Sequence, residues 1–213
     1  KKNSKRFKRN DPSRHCLTMI NEEDLRTLVA YSLKRFHERR IERARKLTLK
    51  TVLGRKNPYL FKALGIHTAS ELVGRLVDDY LSSSDETLFG ETFFKPIAIE
   101  VSGGVLTEAK GVDFWLNQGG TATAVKVVSG PNVLNSSQLR KQNEDFMQAR
   151  SEFNGAADIK IDAMLGHCYG NYRSESKVGH AYRDRSGREF WRELTGDESF
   201  YQRLMTAMGQ EAE

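Results

Sequence analysis

The apolar positions of this chain change period repeatedly, and those changes divide it into helical and extended stretches. Leu25, Leu28, Val29, Ser32, Leu33, Phe36 and Arg40 recur at the spacing of one helix face. Asn21, followed by Glu22, Glu23 and Asp24, supplies a cap and acids where a helix dipole favours them. These residues predict a helix from about 21 to 46, with Arg35, Arg39, Arg43 and Lys46 on its other face. Asn57-Pro58 then breaks the chain. Thr68-Ala69-Ser70-Glu71 reads as a capping box for a helix that buries Leu72, Val73, Leu76, Val77 and Tyr80. Ser84-Asp85-Glu86 reads as the cap of a further helix carrying Leu88, Phe89, Phe93 and Phe94. Ile97 to Val101 fits either a continuation of that helix or the start of a sheet.

Past Gly103-Gly104 the period becomes two. Val112 to Leu116 and Thr121 to Val128 are β-favouring runs around the Gly119-Gly120 turn. A polar helix from about Asn135 to Phe153 follows, then a strand over Leu165 to Tyr169. Tyr172 to Gly187 reads as polar loop or hairpin. Helices over Arg188 to Gly196 and Glu198 to Met208 close the chain. There is no internal repeat and no second core. The expected organisation is a basic mobile arm over residues 1–20, an N-terminal helical extension over 21–56 for dimer or DNA contact, and a core domain over 57–213.

Composition narrows the partners. The 213 residues carry a formal net charge of +6, with cations concentrated near the start and in the first helix. Blocks of positive charge favour a polyanion such as nucleic acid. No apolar run is long enough to span a membrane. The basic, hydrophilic start predicts no secretory leader, and two cysteines fit a reduced, cytoplasmic protein.

The stretch from Gly111 to Gln138 carries the candidate chemistry. It places Asp113 on one strand and Lys126 on the next. An acid can hold a hard cation through oxygen, and a nearby lysine can orient water or meet charge developing on a phosphate. Glu86 or Glu91, from the preceding helix, and the backbone carbonyl of Val127 could complete the cation's shell. The Ser129-Gly130-Pro131 loop aims Asn135, Ser136 and Gln138 at a helix start, where free N–H groups bind phosphate. Plain helix capping by Asn135 or Ser136 is the competing reading. Gln138, Arg140 and Lys141 are the stronger candidates for DNA contact, followed by Arg173 and Lys177 in the polar segment and by Arg39 and Arg43 on the first helix. Zinc held by His15-Cys16, His167-Cys168 and His180 lacks the spacing such sites use.

NPYLFKALGI, LSSSDETLFG, GVDFWL, SGPNVLNSSQ, GHCYG and GREFWRELTGD occur in that order. The set resembles the PmeII-like type II restriction endonucleases, a branch of the PD-(D/E)XK nuclease superfamily, over roughly Asn57 to Met205. The resemblance implies an α/β fold with a mixed central sheet flanked by helices, and a Mg2+-dependent nuclease in which Mn2+ substitutes. It also implies a homodimer acting on palindromic duplex DNA, and Asp113 as the first metal-binding acid. The pattern departs at one position. In such enzymes a lysine directly precedes the Ser-Gly-Pro-Asn loop, and here Val128 stands there. Three readings follow: Lys126 serves instead, Lys141 or Arg140 does, or the core binds DNA without cutting it. An active or formerly active nuclease is favoured over a core that never cleaves.

Overall fold

The computed structural model describes residues 20–48, 50, 53–54, 57–153, 159–171, 173–174 and 180–211. Most of the arm assigned to residues 1–20, together with Cys16 and Lys177, lies outside them.

Local chemistry sets the helix starts. Helix α1 (Glu22–Arg45) begins where the Asn21 side chain accepts from the Asp24 N–H. Helix α2 (Pro58–Ala63) is capped by Asn57, and proline stands in its first turn, where no N–H is needed. Helix α3 (Ala69–Phe89) starts at the Thr68–Glu71 capping box. It does not stop at Ser84. It runs through a wide π turn at Gly90–Phe94 into α4 (Lys95–Ser102). The Ser84 hydroxyl donates back to the carbonyls of Tyr80 and Leu81, so this residue lies inside the helix instead of capping a new one. The stretch from Ile97 to Val101 is helical, and Gly103, at φ 63°, ends it.

Strands β1 (Val105–Leu106), β2 (Phe114–Gln118) and β3 (Thr121–Val128) are antiparallel neighbours. Gly119 and Gly120, at φ 53° and 75°, make the two-residue turn between β2 and β3. Helix α5 (Ser136–Glu152) then crosses over to β4 (Lys160–His167), which pairs in parallel with β3. The fourth strand thus starts well before Leu165. The segment expected to be polar loop or hairpin contributes β5 (Arg173–Ser174) and β6 (Arg183–Ser186), which pair antiparallel as a hairpin does, and β6 also runs parallel to β4. Its polar sequence left the strand bounds open, because the side chains of Arg183 and Arg185 pair with acids instead of packing against apolar neighbours. Helices α6 (Gly187–Thr195) and α7 (Phe200–Glu211) finish a mixed six-stranded sheet of order β1-β2-β3-β4-β6-β5.

Alternation along β3 feeds two cores. Val125 and Val127 face the cluster of Leu25, Val29, Phe93, Ile97, Trp191 and Leu204, built from α1, the π turn, α4, α6 and α7. Ala124 and Val128 face Trp115, Phe146 and Leu165 beneath α5. The first helix therefore shares the main hydrophobic interior. No helix among the described residues is long and apolar enough to cross a membrane.

Candidate active site at the end of strands β2 and β3

Asp113 lies one residue before β2, and its backbone N–H donates to the Val125 carbonyl at 2.8 Å. Just upstream, Gly111 has φ 73°, and a Cβ there would stand 2.5 Å from the Cβ of Asp145 on α5. Gln142 of the same helix donates to the Gly111 carbonyl at 2.7 Å. Helix α5 thus clamps the approach to β2, and only glycine allows the close contact.

The Asp113 side chain is 4% exposed. Its two oxygens have different surroundings. Oδ2 accepts the Val127 N–H at 2.8 Å. Oδ1 faces two ammonium groups, Lys95 Nζ at 2.6 Å and Lys126 Nζ at 3.2 Å. In a strand the N–H and C=O of one residue point the same way, so the Val127 carbonyl also faces this side. Lys126 and Asp113 are thus brought together, although Lys126 stands two residues before the position where the motif places its lysine. The Val128 side chain occupies that position and is buried in the core under α5.

Lys95 is the residue that sequence reasoning missed. It lies 18 residues from Asp113 and in no strand motif. Its available signal was isolation, since it is the lone charge between Glu91 and Glu100, in an otherwise apolar helix.

Other candidate residues are placed as follows. The Glu86 carboxylate accepts from the Ser129 hydroxyl at 2.9 Å, just past the end of β3. Glu91 is exposed on the π turn. Among the described residues no three or more His, Cys, Asp or Glu side chains gather as a metal cage, so Glu86, Glu91 and Asp113 do not form a three-acid cluster. Lys141 pairs with Asp145 at 3.0 Å and with Glu144 at 3.4 Å, and is not the lysine that contacts Asp113. Asn135 and Gln138 form a capping box, in which Asn135 accepts from the Ser137 and Gln138 N–H groups and Gln138 accepts from the Asn135 N–H. Ser136 and Arg140 are exposed at that helix start. Arg39 is exposed and pairs with Glu42, whereas Arg43 donates to the Ser84 carbonyl and so is drawn toward α3. Only the backbone of Arg173 is described, in β5.

The loop after β3 is held tightly. A Cβ on Gly130 would lie 2.3 Å from the Tyr169 ring. The His167 ring contacts the Gly130 carbonyl through Nδ1 at 3.0 Å and Asp184 through Nε2 at 3.3 Å. Burial pushes the Cys168 thiol well above its ordinary value, and the charge of Asp113 adds to this, so the thiol stays protonated. That excludes a thiolate nucleophile here and leaves Cys168 as packing.

A buried carboxylate that fixes one oxygen and offers the other to cations, beside strand-end carbonyls and two lysines, suits chemistry on a phosphate ester. A family model for Type II restriction endonuclease EcoO109I matches residues 23–213. No curated protein and no solved structure matches the chain.

Proposed function

Because this chain belongs to the family of Type II restriction endonuclease EcoO109I, whose members are phosphodiester hydrolases, we propose that it cuts duplex DNA at a short specific sequence, using Mg2+ at Asp113. The observation carrying this reading is the asymmetry of that carboxylate. Oδ2 is spent on the Val127 N–H, and Oδ1 is turned toward positive charge.

The donors fit a hard cation. They are oxygens only: Asp113 Oδ1 and the Val127 carbonyl, with Glu86, whose carboxylate meets the Ser129 hydroxyl just past β3, as the further candidate. Mg2+ characteristically uses one or two carboxylates and fills its remaining positions with water and substrate phosphate. When bound it would polarise the phosphate and lower the pKa of a coordinated water. The protein's own groups do the rest. Hydrolysis builds negative charge on the non-bridging phosphate oxygens, and the ammonium of Lys126 stands where it can meet that charge. The Val127 N–H fixes the carboxylate's rotation, which keeps Oδ1 turned toward the two ammoniums.

DNA contact is assigned to Ser136, Arg140 and Lys141 at the start of α5, to Arg173 and Lys177 beyond β4, and to Arg39 on α1. Gln138, Asn135 and Arg43 take part only if their present hydrogen bonds open. The exposed apolar residues Tyr31, Ile41, Tyr59, Leu60 and Leu64 on the first helices favour a homodimer. Two-fold symmetry would match a palindromic site. Residues 1–20, 21–56 and 57–213 then act as arm, contact layer and catalytic core. The finer kinship with PmeII-like enzymes rests on the ordered motifs quoted above.

A catalytically silent DNA-binding protein is the second reading. It is favoured by the burial of Val128 where a lysine is expected and by the two ammoniums already on Asp113. Incubation of a broad set of duplexes with Mg2+ or Mn2+ separates the two. Discrete fragments that vanish in Asp113→Ala are expected, while intact DNA throughout, with duplex binding retained, would overturn the nuclease reading in favour of the silent one.

A further inference from the structure

Lys95 sits closer to Asp113 than Lys126 does, yet it comes from the helical layer and not from the strands. We infer that Lys95 is a positioning residue of this site: its ammonium is the resting counter-ion of Asp113 Oδ1, and a divalent cation binds there by displacing it. This rests on the reading of Asp113 as a metal ligand.

The geometry forces a competition. With Oδ2 held by the Val127 N–H, Oδ1 is the oxygen left for a cation. Mg2+ bonds oxygen at about 2.0–2.1 Å. Lys95 Nζ already stands 2.6 Å from the same oxygen and Lys126 Nζ 3.2 Å from it. A dication and two ammoniums gathered on one oxygen would repel strongly in so sheltered a place. One ammonium must give way, and the anchoring of the two stems points to Lys95. The heads are similarly exposed, 33% for Lys95 and 28% for Lys126, but Lys95 enters from the first residue of α4. Lys126 projects from β3 between Ala124 and Val128, both buried in the core under α5. Once released, the Lys95 head remains beside the site, where a backbone phosphate of bound DNA attracts it.

Titration of the full chain with Mn2+ by calorimetry, without DNA, tests the exchange. Removing the resting counter-ion in Lys95→Met is expected to tighten Mn2+ binding about tenfold, with a smaller gain in Lys126→Met and no binding at this site in Asp113→Asn. Lys95→Gln, which also removes the charge, covers the case in which the Met variant does not fold. If wild type binds Mn2+ and both Lys95 variants bind it no better, the exchange is wrong and the metal assignment stands. If neither wild type nor the variants bind Mn2+, the metal reading of Asp113 fails with it.

Discussion

Asp113 and Glu193 each gather two cationic side chains near the same sheet, and they do so with different partners. Glu193 on α6 takes Arg183 on one oxygen and Arg185 on the other, while Arg183 also pairs with Asp162 on β4. Two acids there face two guanidiniums, whose planar forks match carboxylates in two directions at once. At Asp113 a single acid faces two ammoniums, leaving an excess positive charge on compact, partly exposed heads. The balanced group ties β4, β6 and α6 together and has no charge left to offer. The unbalanced one keeps an unmatched positive charge, which on the proposed reading a DNA phosphate would meet. Charge balance, more than burial, separates an ion cluster that holds the fold from one that meets a ligand.

That contrast can be broken by substitution. Arg183→Ala should cost about 3 kcal/mol of stability, because it leaves partly buried Asp162 without this partner and Glu193 with Arg185 alone of the two. Urea unfolding measures it, and DNA cleavage below the melting temperature should survive. Lys126→Ala should do the reverse. Duplex affinity should fall about tenfold, or 1.4 kcal/mol, and the slope of binding against salt should become shallower by about one. Its melting temperature should change little, because Lys95 still pairs with Asp113. A large stability loss at Lys126, or normal stability at Arg183, would erase the distinction.

The smallest effect concerns a further acid, Asp197. Burial pushes Asp197 up, but hydrogen bonds from Ser199 and the charge and hydrogen bonds of Arg203 outweigh it, so its pKa lies below the ordinary 3.8. A depressed carboxylate stabilises the fold above its unfolded value and loses that contribution as pH falls through the folded one. Asp197→Asn should therefore narrow the stability difference between pH 7 and pH 3 by about 1 kcal/mol or less, as read by urea melts.

What could be read from the sequence was local or periodic. The Asn21, Asn57 and Thr68 caps, the Gly119-Gly120 turn and the alternation along β3 involve residues within a few positions of one another, so the chain states them directly. Lys126 could be set beside Asp113 because neighbouring strands align their side chains. Ser84-Asp85-Glu86 misled because a capping sequence does not reveal that the hydroxyl bonds backwards inside a longer helix. Asn135 and Gln138 illustrate the same ambiguity from the other side, since side chains suited to reading bases also suit a helix start. The segment holding β6 was open between loop and hairpin because its side chains pair by charge and show no apolar alternation, and Lys95 was missed because its contact spans 18 residues with no periodic link.

The wide turn at Gly90–Phe94 explains how one helix serves two sites at the tip of β3. Glu86 and Lys95 are nine residues apart, which at 3.6 residues per turn would set them on opposite sides of the rod. A turn closed over five residues instead of four absorbs one extra residue and winds the later part back by about 100°. Glu86 can thus meet Ser129 while Lys95 meets Asp113. The irregularity works as a gear offset: it resets the angular phase of the helix so that an acid before it and a base after it both reach the end of β3.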